Sequence, residues 1–339
     1  MGDQSKATVR SASSYRKVGL TWHESVPRSL RTSIISHRNR FYVRLEKLLA
    51  AVSPGRSLRV LVSSGKPDWQ KDIRAGFDGT PHRLEFGEIT AESISDYDLV
   101  VPLTVEDLHT LNECSALLHN NPIPAPSKEC LRLCNDKYEF NRRLIDAGFG
   151  KYIPRMGDLE DFEPPYMLKK RIGEWGKDCY VIRDRYDEQV NLEQARDPEF
   201  FCQQFVPGRF EFATHILFAG NRIVKALNIM YEFENETPIK GQDRDLYKAI
   251  HRCEFLELFS RVLREVGFQG ICCVNYKVAH GKPFILEVNP RFGGSLGPYF
   301  FSFLRCLGDR RGVPTSKSAE TDRFRKRALR EKKRRKAHP

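Results

Sequence analysis

Between Gly270 and Asn289 the chain carries two short apolar runs, Gly270–Ala279 and 283–289, separated by His280-Gly281. Runs of this length around a turn pair predict two adjacent strands. In the second, Phe284-Ile-Leu-Glu-Val-Asn289, the twofold alternation of a strand puts Glu287 and Asn289 on one face. Two oxygen ligands so spaced on a buried strand are a natural grip for Mg²⁺, which takes one or two carboxylates and completes its octahedron with phosphate oxygens. Asn275 lies on the partner strand, within reach of the same metal. Arg291 follows at the strand's end, where a planar guanidinium can hold phosphoryl oxygens in a bidentate grip, and Gly293-Gly294 lets backbone approach a ligand. For an isolated pair, a solvent-facing edge strand is the plainer reading, so the rest of the chain has to decide.

At 339 residues the chain has room for about two domains. Its apolar content of 40% and charged content of 29% are those of an ordinary globular protein. No apolar run approaches the length of a spanning helix, and the polar, basic first thirty residues have no hydrophobic stretch of a secretory signal. Their Ser and Arg content leaves an organellar targeting segment as the alternative to a ragged leader. The nine cysteines lack the paired spacing of zinc or redox sites, which predicts free thiols in a reducing cytoplasm. Of the net charge of +12, a large share sits in Thr321–Pro339, where ten Lys or Arg face two acids. The protein is therefore expected to be a mildly basic globule with a basic tail.

Ser57–Ser63 and Asp98–Leu103 read as buried strands of an α/β unit, with a helix before them (Arg38–Val52, apolar at Phe41, Val43, Leu45, Leu48, Leu49 and Val52) and another after (Val105–Leu118). Together they predict a small doubly wound domain over residues 36–126, preceded by a polar leader (1–35) and closed by the Pro-rich linker Asn121–Pro126. Beyond it the pattern predicts a helix over Asn135–Ala147, capped by Asn135 or Asp136 and stopped by Gly148. Strands are expected at Tyr166–Ile172, Phe201–Val206 and Glu211–Phe218, and a helix over Asp245–Val266. No internal repeat is present. The tail from residue 309 has little to fold around.

The stretch Phe284–Ser295 resembles the metal-binding signature of ATP-grasp ligases, a resemblance that extends over about residues 128–300 through three further motifs in the family's order. Cys134-Asn-Asp-Lys137 is similar to the family's early helix start, which implies that Lys137 reaches nucleotide phosphates. Tyr166-Met-Leu-Lys169, leading into Gly173-Glu-Trp-Gly176, is similar to its second phosphate lysine and glycine-bearing loop, although Lys170 stands where the family usually has proline. Gln203-Gln204-Phe205-Val206-Pro-Gly-Arg-Phe-Glu211 is similar to the hinge that pairs with the adenine edge and the Glu that takes the ribose hydroxyls. Here Gln203 replaces the common Glu, leaving an amide oxygen to accept from the adenine amino group, and Glu211 falls one residue late. Lys240 is a candidate third phosphate contact. Asn275 replaces a frequent Asp, which makes the metal site less negative and more dependent on ATP for binding.

The resemblance implies an α/β ATP-grasp fold, two α+β subdomains sandwiching ATP, over residues 127–308, with 36–126 as the small Rossmann-like domain that precedes it. It further implies ATP and two Mg²⁺ ions (Mn²⁺ as an alternative) held by Asn275, Glu287 and Asn289, with Lys169 and Arg291 at the transferred phosphoryl group. The expected reaction activates a carboxylate as an acyl phosphate for capture by an amine, with release of ADP and phosphate. Small-molecule carboxylate and amine substrates are the expected partners, contacted near Arg209, His215, Arg291 and Ser295–Tyr299. No membrane association is expected, and a homo-oligomer is allowed. Two alternatives stand beside this: a nucleotide-binding protein of the same fold without ligase chemistry, and a nucleic-acid-associated protein acting through its basic tail.

Overall fold

The computed structural model describes residues 27–52, 57–174 and 176–307; the leader before residue 27, the basic tail beyond 307 and Trp175 lie outside the described residues. The first helix, α1 (Arg28–Val52), begins ten residues earlier than the apolar spacing predicts. It turns Ile35 and Glu46 inward and leaves Phe41, Leu45, Leu48, Leu49 and Val52 exposed. Glu46 is buried because Lys225 and Arg305 each reach its carboxylate, at 3.1 and 3.2 Å.

Three parallel strands follow, β1 (Arg59–Ser63), β2 (Arg83–Gly87) and β3 (Leu99–Val101), in the order β2-β1-β3. Helices α2 (Pro67–Phe77) and α3 (Ala91–Asp96) connect them, and α4 (Val105–Glu113) leads away. Thr90 and Thr104 close reciprocal capping boxes at α3 and α4, which fixes where each helix starts. Val60 and Val62 face one apolar cluster while Leu61 faces another. A strand buried on both faces has to be apolar throughout, as this run is.

The helix expected over 135–147 is α6 (Lys137–Leu144), with Asp136 as its cap, and a separate helix that the pattern did not mark, α5 (Lys128–Asn135), precedes it. Asp136 between them adopts extended backbone and accepts from the amides of Tyr138 and Glu139. An Asp in that role begins a helix and cannot also continue one. Past α6 the chain turns at Gly148, whose φ of 84° only glycine adopts without strain.

Four antiparallel strands, β4 (Met156–Gly157), β5 (Tyr166–Lys170), β6 (Cys179–Ile182) and β7 (Phe200–Gln204), form a sheet in the order β4-β7-β5-β6, with α7 (Arg185–Val190) and α8 (Leu192–Arg196) between β6 and β7. The larger sheet runs β10-β9-β8-β11-β12, all antiparallel, and is built from β8 (Phe210–Ala219), β9 (Arg222–Phe233), β10 (Asp245–His251), β11 (Gly270–Ala279) and β12 (Lys282–Asn289). Helix α9 (Leu256–Glu265) packs on it, and α10 (Phe301–Leu304) is the last α-helix of the described residues, followed by a 3-10 turn over Arg305–Leu307.

The expected helix over Asp245–Val266 is thus corrected: only Leu256–Glu265 is helical, and Asp245–His251 is a strand. Six of its seven residues pair with β9, Ala249 opposite Met230 and Ile250 opposite Ile229, with Leu246 at a register shift, and Tyr247 and Ala249 are buried in alternation. The period is two, and the free edge of β9 supplies the hydrogen-bond partners that a lone segment lacks.

Strand β8 is buried at all ten positions. Phe212, Ile216 and Phe218 pack into a cluster with Phe140, Leu144, Phe259 and Leu263. Ala213 and Leu217 pack on the opposite face with Trp69, Ile73, Phe292 and Phe300. Phe212 stacks on Tyr276 with ring centroids 5.0 Å apart. Replacing this buried ring with a methyl group leaves a cavity that rigid neighbours cannot fill, so Phe212→Ala is expected to lower the unfolding free energy by about 3–5 kcal/mol in urea titrations.

Candidate active site

A cleft of about 530 Å³ is lined by β5 and β7 of the smaller sheet and by β8, β11 and β12 of the larger. Every residue that the motifs single out, from Lys137 to Arg291, lines this one cleft. Residues more than a hundred positions apart are brought together because the two sheets face each other across it.

Glu287 is the centre of the polar network. On β11 and β12, Asn275 stands opposite Glu287, and Glu287 Oε1 accepts from Asn275 Nδ2 at 2.7 Å and from Asn289 Nδ2 at 2.8 Å. The register slips between Asn275 and Tyr276, so that Leu286 bulges. Leu286 lines the cleft beside Glu287 as a result, an aim that strict alternation would deny it. Lys137 Nζ lies 3.8 Å from Glu287 Oε2 and donates to the Gly173 carbonyl at 2.6 Å. Burial pushes the Glu287 carboxyl up, but the Lys137 charge, the Asn289 hydrogen bond and the charges of Lys169 and Lys240 outweigh it and hold the group below its ordinary range. It is therefore ionised at neutral pH.

Lys240 donates to Asn275 Oδ1 at 2.9 Å and pairs with Glu211 at 3.3 Å. Burial alone would lower its pKa, but Glu211 raises it above the ordinary lysine value. Lys169 Nζ donates to Gln203 Oε1 at 2.9 Å. Gln203 Nε2 is left buried with no partner among the described residues, so this amide offers the cleft a donor. Arg291 Nη2 pairs with Glu174 Oε1 at 2.8 Å, and Lys66 Nζ takes the other oxygen of Glu174 at 2.8 Å. Burial raises Glu174, and Lys66 and Arg291 together bring it below the ordinary carboxylate value.

Lys66 and Lys277 carry no motif and escape a reading of the sequence. Lys277 donates to the Val206 carbonyl at 3.1 Å, and burial brings its pKa down to about 8 despite Glu211 and Glu236. Its one signal is a lysine inside the apolar run Gly270–Ala279; Lys66 has none. Arg209, expected near a substrate, pairs instead with Glu232 at 3.4 Å. His215 is buried and hydrogen-bonded to Ser295 Oγ at 2.8 Å through Nε2. A Cβ on Gly293 would lie 2.7 Å from its ring, so only glycine admits this packing.

No cluster of three or more His, Cys, Asp or Glu side chains suited to a metal occurs among the described residues. The set at Glu287 is one carboxylate with two amides, and turning the two amides over would present their oxygens beside the carboxylate. Such a set suits a hard divalent cation that also takes phosphate oxygens.

Comparison with known proteins agrees with this geometry. Residues 134–295 match the family model of an ATP-grasp domain. The chain carries an ATP-grasp domain, and its mixed α/β fold is the one that the four motifs imply. It is similar to phosphoribosylamine–glycine ligase from Thermotoga maritima (17% identity, TM-score 0.56, 76% of each chain). It is also similar to D-alanine–D-alanine ligase from Bacillus anthracis (15% identity, TM-score 0.52, 74% of this chain and 96% of that one). A third similar structure is L-amino acid ligase from Bacillus licheniformis (15% identity, TM-score 0.51, 78% and 77%). In sequence it is 25% identical over 244 residues to the large chain of carbamoyl phosphate synthase from Thermoanaerobacter pseudethanolicus, covering 65% of this chain but 22% of that far longer one.

His215 gives the site a pH signature. Burial lowers its pKa from 6.5 to about 3, with the charge of Lys240 adding to the effect. The folded protein therefore keeps it neutral where the unfolded chain protonates it. Stability contributed by the neutral ring is whole above pH 6.5 and is lost progressively as the pH falls toward 3. His215→Gln is expected to flatten the dependence of unfolding free energy on pH between these limits by about 1.4 kcal/mol per pH unit, measured by urea denaturation across a pH series.

Proposed function

We propose that this protein is an ATP- and Mg²⁺-dependent ligase that activates a carboxylate as an acyl phosphate and passes the acyl group to an amine, releasing ADP and phosphate. The observation that carries the reading is the convergence on Glu287. An ionised carboxylate, bound to Asn275 and Asn289, shares one cleft with Lys137, Lys169 and Arg291. Glu287, Asn275 and Asn289 would hold Mg²⁺, two ions being expected, which would supply positive charge to the triphosphate oxygens. Mn²⁺ would serve the same ligands.

The chain's own groups do the rest by position and charge. Lys137 and Lys169 carry ammonium groups to the phosphates, with the glycines of residues 173 and 176 allowing close approach of the backbone. The backbone of Gln204, Phe205 and Val206 meets the adenine edge, and the free Gln203 Nε2 serves a ring nitrogen, since its oxygen already receives Lys169. Glu211 takes the ribose hydroxyls, Lys240 neutralises it nearby, and Arg291 stabilises the phosphoryl group in flight. No nucleophilic side chain is required, because the attacking atom belongs to the substrate. Under this proposal residues 36–126 serve as the small domain preceding the ATP-grasp domain of 127–308. The protein works in the cytoplasm on small molecules, its nine cysteines all free thiols. No helix among the described residues is long and apolar enough to cross a membrane.

Purified protein with Mg²⁺ and ATP is expected to release ADP with at least one pairing from a matrix of amino acids and small carboxylates, the product being detected by mass. Glu287→Gln is expected to cut that turnover by on the order of 10²-fold or more while its far-ultraviolet circular dichroism stays unchanged. ATP binding indifferent both to Mg²⁺ and to Glu287→Gln would instead mark a nucleotide-binding protein without ligase chemistry.

A further inference from the structure

Glu174 is a partly exposed carboxylate, its side chain 33% accessible, in an unusual position. Its two oxygens are each taken by a different cation, Oε1 by Arg291 Nη2 and Oε2 by Lys66 Nζ, both at 2.8 Å. The two cations come from remote parts of the chain, Lys66 from the segment before α2 and Arg291 from just past β12. Among the described residues neither has a second carboxylate partner. The Arg291 side chain is 8% exposed, so its charge cannot be left to water.

We infer that Lys66 and Arg291 form a receptor for the substrate's carboxylate, and that Glu174 occupies it in the protein without substrate. This rests on the ligase reading. It adds Lys66, which no motif of the sequence marks, as a residue that selects the acid, and it assigns Glu174 the role of a stand-in ligand.

The surroundings fit that role. Arg291 is two residues from Asn289, so an acid held there lies next to the oxygen ligands around Glu287. Lys66 is kept in place by Trp69, its ammonium 5.9 Å from the indole ring centre. Trp69 in turn lies so close to the backbone at Gly294 that a Cβ there would come within 2.8 Å of the indole. The receptor is thus walled by α2 on one side and by residues 291–295 on the other. Its two donors are spaced for the two oxygens of a planar carboxylate, since one already bridges them. Withdrawing Glu174 leaves two cations facing one empty place, an arrangement that favours an incoming anion. A bound substrate acid replaces Glu174 one for one, so the site's net charge is conserved and no buried charge is left unpaired.

The test uses the full chain with Mg²⁺ and AMP-PNP, and acetate as the probe. Acetate binding is followed through the side-chain N–H resonance of Arg291. Glu174→Gln removes the competing charge and is expected to bind acetate roughly tenfold more tightly than the parent protein. The double variant Lys66→Ala, Glu174→Gln is expected to lose that gain, and Lys66→Arg, Glu174→Gln to keep most of it, which separates loss of the charge from loss of the fold. Equal affinity in the parent and in Glu174→Gln overturns the inference, as does a gain that survives Lys66→Ala. Inorganic phosphate bound more tightly than acetate overturns the assignment to a carboxylate. Binding of AMP-PNP is measured in the same samples. If the variants hold nucleotide while acetate fails to respond, the receptor falls and the ligase reading stands. If the parent does not bind nucleotide, the ligase reading itself falls, whatever acetate does.

Discussion

The structure depends on a sheet that is buried on both of its faces. Strand β8 shows no exposed position along its length, and its alternate side chains serve two different cores. One face is sealed by α6 and α9, the other by α2 and the segment following β12. Because β8 and β11 are neighbours in that sheet, the polar side chains they aim into the cleft are held by apolar packing on either side. Asn275, Lys277 and Glu211, with Glu287 on the adjoining β12, are thus polar groups on a rigid apolar frame. Such groups remain in place only if each is paired, and the hydrogen bonds around Glu287 are how this is done.

The cleft's charges form a chain of pairs rather than a pool. Lys169 is matched to Gln203, Lys137 to Gly173 and Glu287, Lys240 to Glu211 and Asn275, and Arg291 and Lys66 to Glu174. Each of these cations has a partner within the protein. An anion bound there, as proposed, would exchange partners with cations that the fold has already desolvated.

Much of this was legible in the sequence, and the limits are physical. The short run Val60–Val62 is legible because a strand buried on both faces is apolar throughout, and Glu287 and Asn289 because polar side chains two apart share one face of a strand. Asp136 was legible as a cap because its carboxylate acts on amides two and three residues away. Asp245–His251 was misread because its apolar positions fit a helical spacing as well as a strand's, and pairing with the preceding strand β9 overrode that local pattern. The inward face of α1 was hidden for a similar reason: Glu46 is buried only because Lys225 and Arg305 meet it there. Lys66, Glu174 and Lys277 lie beyond a motif reading, since what they do is defined by partners brought near only by the fold.

The placing of Trp69 and Ile73 in the same apolar cluster as Leu217, Phe292 and Phe300 has a mechanical consequence. The parallel sheet and the larger antiparallel sheet share one core, so displacing either against the other would break that packing. The smaller sheet instead keeps its own cluster, of Phe162, Tyr166, Leu168, Ile182 and Cys202. Lys169 and Gln203 are thus tied to each other by the smaller sheet's own packing and meet the larger sheet only across the cleft.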